Sequence, residues 1–79
     1  MKTTKTQDLD MTAAWMAATG KTPLVFFKPG DPKATFEMPE CESTRQAIFD
    51  FATGTLLVNA RIFAAARAHL YKQVKGVRR

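Results

Sequence analysis

The chain has 79 residues, 46% of them hydrophobic and 24% charged, with a formal net charge of +5. That length holds one domain, which buries roughly 60% of the surface its unfolded chain exposes, and the composition excludes wholesale disorder. Cys41 is the single cysteine, which excludes an internal disulfide and a metal site of several thiolates.

No apolar run approaches the ~18–20 residues that cross a bilayer, and the polar start, Met1 to Asp10, does not read as a signal peptide. A reducing cytoplasm is therefore the expected setting, with no membrane partner. The charge is unevenly placed. Residues 1–50 hold six Lys or Arg and all seven acids, whereas residues 51–79 hold six Lys or Arg and no acid. A surface of one sign attracts phosphates or acidic proteins over a Debye length of ~8 Å, and the bland alternative is solubility.

In chain order, residues 1–7 lack an apolar anchor and are expected to be disordered. Asp8 then offers a carboxylate to the free N–H groups of a first turn, so a helix is predicted from Leu9 to about Thr19. Gly20 ends it and Pro23 prevents its resumption. Leu9, Ala13, Met16 and Ala17 make one stripe, and Met11, Ala14, Trp15 and Ala18 make another. A helix apolar almost all round is covered on two sides.

Leu24 to Lys28 reads as a strand that enters the turn Pro29-Gly30-Asp31-Pro32. Ala34 to Met38 alternates, with Ala34, Phe36 and Met38 facing one way and Thr35 and Glu37 the other, which completes a hairpin. Ser43 and Gln46 have the spacing of a capping box, so a second helix is predicted from Thr44 to about Thr53, closed by Gly54. Its apolar side is Ala47, Ile48 and Phe51, with Phe49 off the stripe. Thr55 to Val58 is extended, as a brief third strand or a connector.

Asn59 caps the last helix. Ile62, Phe63, Ala66, Leu70 and Val74 recur on one face of it, and Arg61, Ala64, Ala68, Lys72 and Lys75 on the other. The expected domain thus spans residues 8–76, followed by a basic tail at 77–79. Its class is α+β, in the order helix, strand, strand, helix, short extended piece, helix.

The succession Thr6-x-Asp8-Leu9, Ala13-Ala14, Gly20, an aromatic strand, Ala34-x-Phe36, Gly54 and Val58-Asn59-Ala60-Arg61-x-Phe63 resembles a small α+β domain family of unknown function. Members occur in bacteria and in phages or mobile elements. The resemblance covers about Thr6 to Leu70 and implies the same order of elements. It brings no activity and no site residues. A phage or mobile-element origin implies, by analogy of context alone, an inhibitor of a host complex such as a defence system.

No catalytic constellation emerges, so the expectation is a binding protein without enzyme activity, cofactor or metal. Gly20-Lys21-Thr22 resembles the end of a phosphate-binding loop, but it closes a helix instead of opening one. Cys41 lies between Glu40 and Glu42, whose charges disfavour the thiolate, and His69 reads as a flank of the last helix. Two surfaces remain. Arg61, Arg67, Lys72, Lys75 and Arg78, with Tyr71 as a stacking ring, suit nucleic acid or a protein–nucleic acid complex. Met11, Trp15, Ala18 and Phe49 are candidates for a protein partner or a homodimer, since tryptophan is enriched at interface centres; burial of Trp15 in the core is the competing reading.

Overall fold

The computed structural model describes residues 2–78, with the backbone alone of Arg78. It is an α+β domain whose elements are β1 (Thr3–Thr6), α1 (Leu9–Thr19), β2 (Leu24–Phe26), β3 (Thr35–Pro39), α2 (Glu42–Thr53) and α3 (Ala60–Arg78). The three strands form one antiparallel sheet in the order β1-β3-β2.

The central strand explains the layers. Residues opposite one another in an antiparallel pair share a face, so Phe36 sits with Thr6 and Val25 on the inner side. Ala34, Phe36 and Met38 are buried there, as their alternation predicts. Thr35 with Phe26, and Glu37 with Lys5 and Leu24, occupy the outer side.

Helix α1 fills the space under the sheet. One cluster joins its Ala13 to Phe36 and to Ala66 and Leu70 of α3; a second joins its Trp15 to Met38 and to Ala47 of α2. Met16 packs against both. The two-sided burial expected of a nearly all-apolar helix is therefore observed. Trp15 is 1% exposed, and its indole Nε1–H donates to Thr44 Oγ1 at 3.0 Å.

Local chemistry sets the ends of the helices. The Asp8 carboxylate accepts from Met11 N–H at 3.0 Å, and Gly20 adopts φ 73° while its N–H bonds Met16 C=O at 2.8 Å. That positive φ favours glycine because it lacks Cβ. Gly54, at φ 75°, closes α2 in the same way. Asn59 Oδ1 accepts from the N–H groups of Arg61 and Ile62, at 2.9 and 3.1 Å, and opens α3.

Four expectations need correction, and a fifth, which holds two alternatives, is decided. Residues 1–7 are not all disordered, since Thr3–Thr6 is a strand. Its threonines are β-branched, and β3 supplies a pairing edge in the register Thr3↔Pro39 to Thr6↔Phe36, so an apolar anchor is not required. Residues 55–58 are a connector, one of the two alternatives, and not a brief third strand. The N–H groups of Thr55 and Leu56 both turn back to Asp50 C=O, at 2.8 and 3.1 Å, and so close α2 instead of extending a sheet.

Helix α2 begins at Glu42 with Cys41 as its N-cap residue, so the Ser43–Gln46 capping box does not form; Gln46 Nε2 donates instead to Asp50 Oδ1 at 2.9 Å. Finally, α3 does not stop at Gly76 but continues to Arg78, and Ile62 is exposed instead of packed. Met1 and Arg79 lie outside the described residues.

The burial of Trp15 yields a stability prediction. Trp15→Ala should lower unfolding stability by about 3–5 kcal/mol, as large-to-small core changes do. Thr44→Val, which leaves the indole N–H buried without an acceptor, should cost about 1–3 kcal/mol. Urea unfolding followed by far-UV circular dichroism measures both, and a cost below about 1 kcal/mol for Trp15→Ala would contradict the core assignment.

Candidate functional site

Packing fixes which side of α3 is free. Ala66 and Leu70 are buried and Phe63 and Val74 pack against the same cluster, which turns Arg61, Lys72 and Lys75 to solvent. No acid lies on this helix, and among the described residues the only ion pair is Arg67–Asp10. Arg61, Lys72 and Lys75 thus present charge not neutralised by an ion pair within the described residues.

Their spacing has a physical consequence. At 1.5 Å per residue Arg61 lies about 16 Å from Lys72 along the axis, whereas Lys72 and Lys75 are neighbours on adjacent turns. Ala64, Ala65 and Ala68 lie between, all exposed. The result is a smooth strip with a cation at one end and two at the other. It spans about five base steps of a nucleic-acid strand at 3.4 Å each.

Arg67 is placed differently from the other predicted cations. Its Nε–H donates to Asp10 Oδ1 of α1 at 2.8 Å, and its guanidinium lies 5.6 Å from the centroid of the Tyr71 ring. Arg67 therefore joins α3 to α1 and holds Tyr71 beside it. With both side chains of the pair partly exposed, the ion pair contributes at most about 1 kcal/mol. The side chain of Arg78 lies outside the described residues.

The second predicted surface is dispersed. Trp15 is core, which removes the anchor of the proposed protein interface, while Met11 is half-buried against the same cluster and Ala18 is exposed. Phe49 is 62% exposed on α2. Leu57, which no sequence pattern singled out, is 94% exposed in the α2–α3 connection. Beside that connection Ala14, Phe51, Gly54, Leu56, Val58 and Phe63 line an apolar depression of about 270 Å³.

The environment of Cys41 reverses the expectation drawn from Glu40 and Glu42. Its Sγ lies 3.2 Å from Ser43 Oγ, 3.4 Å from Thr44 Oγ1 and 3.3 Å from the Lys21 ammonium. Thr44 Oγ1 accepts the Trp15 proton, so its own proton is free for the sulfur. The Ser43 hydroxyl, then the hydroxyl and N–H of Thr44, and least the Lys21 ammonium, lower the thiol from 9.0 to about 6 against a small opposing effect of burial. Lys21 comes from the loop after α1, a neighbour that spacing in the sequence does not announce. His69 is exposed on α3, and among the described residues no three His, Cys, Asp or Glu side chains are grouped to hold a metal. Gly20-Lys21-Thr22 closes α1, as its position before a strand implied.

Comparison with protein-family models, curated proteins and solved structures finds no match to this chain. No helix among the described residues is long and apolar enough to cross a membrane.

The Cys41 geometry predicts a titration. The rate of alkylation by iodoacetamide should rise with a midpoint near pH 6, because the thiolate is the nucleophile and predominates above that pH. Ser43→Ala removes the strongest of the lowering hydrogen bonds and should move the midpoint upward. A wild-type midpoint near the ordinary 9.0 would contradict the hydrogen bonding described.

Proposed function

We propose that this is a non-enzymatic, cytoplasmic binding domain that engages nucleic acid, alone or within a protein–nucleic acid complex, through the solvent face of α3. The observation that carries the reading is the set Arg61, Lys72 and Lys75, exposed on one rigid helix that bears no acid. Phosphate attraction is sequence-independent, which suits a face whose remaining side chains are alanines. Tyr71, held by Arg67 at the border of that face, is the ring available for a base to stack on.

A second reading, suggested by the family resemblance, is a phage or mobile-element protein that inhibits a host complex by protein–protein binding. One observation favours it: Leu57 and Ile62, both exposed, lie on either side of Arg61 in the chain. Exposed apolar side chains near a cation in the chain suit an acidic protein partner better than a phosphate backbone.

Reversing the charge of Arg61, Lys72 and Lys75 to glutamate should weaken oligonucleotide binding in fluorescence polarisation by at least tenfold, on the order of what loss of several phosphate contacts costs, while the thermal unfolding midpoint stays close to that of the wild type. Undiminished affinity in the triple variant would remove the α3 reading. Leu57→Asp should leave oligonucleotide affinity unchanged under the first reading; loss of a host-protein partner in that variant would favour the second.

A further inference from the structure

The outer side of the sheet carries a polar group with no partner. Thr35 is 2% exposed, and its Oγ1 is buried with no hydrogen bond to any protein atom. Buried hydroxyls without partners are exceptions in folded proteins. This one lies beside two cations, since Thr35 lines a depression of about 220 Å³ with Lys5 of β1 and Lys28, just beyond β2.

We propose that Lys5, Lys28 and Thr35 form a subsite for a phosphate group on the outer side of the sheet, separate from α3. The chemistry is complementary. Two ammonium groups supply charge, and the Thr35 hydroxyl supplies a directed donor that no protein acceptor occupies. Oγ1 is buried in the free protein, so the proposed binding requires a side-chain movement that opens it, and Lys5 and Lys28, exposed on long flexible stems at the same depression, are the groups able to move onto the ligand.

Two cations and no carboxylate line the depression itself, although Asp31 and Glu37 lie near it. Asp31 accepts from Gln7 Nε2 at 2.6 Å and from Lys33 N–H at 3.0 Å, neutral donors that orient the carboxylate and leave its charge in place. Glu37 stands opposite Lys5 in the sheet register but makes no ion pair with it among the described residues. Lys28 likewise has no ion pair among those residues. A phosphate group presents several acceptor oxygens, so one ligand can take all three donors at once.

The test is a titration of ¹⁵N-labelled protein with inorganic phosphate at constant ionic strength, followed by amide chemical shifts. Saturable shifts at Lys5, Lys28 and Thr35 are expected. Thr35→Val, which keeps the side-chain shape, should weaken binding by about tenfold or more, the value of a hydrogen bond to a charged group. Lys28→Met should weaken it as well. The Arg61, Lys72 and Lys75 charge-reversal variant should retain the phosphate response, which separates this subsite from the α3 surface.

A parallel titration with a short single-stranded oligonucleotide distinguishes the source. Tighter binding than inorganic phosphate at the same amides identifies a phosphodiester backbone, and a response to inorganic phosphate alone identifies a free or monoester phosphate. No saturable shift at Thr35 with either ligand, undiminished affinity in Thr35→Val, or loss of the response in the α3 variant would each overturn the proposal.

Discussion

The hydrogen bond from the Trp15 indole to Thr44 is the contact on which the rest of this small domain depends. It is made inside the core, between α1 and the first turn of α2, and leaves neither polar group buried without a partner. The same hydroxyl then faces Cys41 Sγ, so the packing of α1 on α2 also shapes the thiol's surroundings. A core of so few large side chains has little to replace it, because a domain's whole stability is on the order of 5–15 kcal/mol.

From that contact the orientation of α3 follows. With one flank of α1 occupied by Trp15, Met38 and Ala47, the flank bearing Ala13 is left for Phe36, Ala66 and Leu70. Leu70 inward means Lys72 and Lys75 outward, and Asp10 at the start of α1 holds Arg67 at the border between the two faces. The unequal charge distribution becomes a spatial one because the last part of the chain, residues 51–79, which holds no acid, is mostly this single helix and its connection. The inner packing thereby fixes the outward direction of the cations.

Much of this was legible in the residues themselves. Asp8, Gly20, Gly54 and Asn59 act as helix ends because their side chains, or lack of one, satisfy backbone groups within a few residues, and such local chemistry shows in the sequence. The inward set Ala34, Phe36 and Met38 was equally plain from its alternation. Strand β1 was not, because Thr-Thr-Lys-Thr becomes a strand only by pairing with β3, far away in the chain in the register Thr3↔Pro39 to Thr6↔Phe36. The placement of Lys21 beside Cys41 and the isolation of Thr35 likewise arise from tertiary neighbours. Trp15 was visible as either core or interface, and the choice required knowing that Thr44 stood within reach of its N–H.

The cationic face held outward by this packing is the surface proposed to bind a phosphate backbone. Its most direct test is the dependence of oligonucleotide affinity on salt concentration. Three phosphate contacts from Arg61, Lys72 and Lys75 predict that the logarithm of the association constant falls with the logarithm of salt with a slope of about −2 to −3, depending on whether the target is single- or double-stranded. A slope indistinguishable from zero, or no measurable association at low salt, would contradict it.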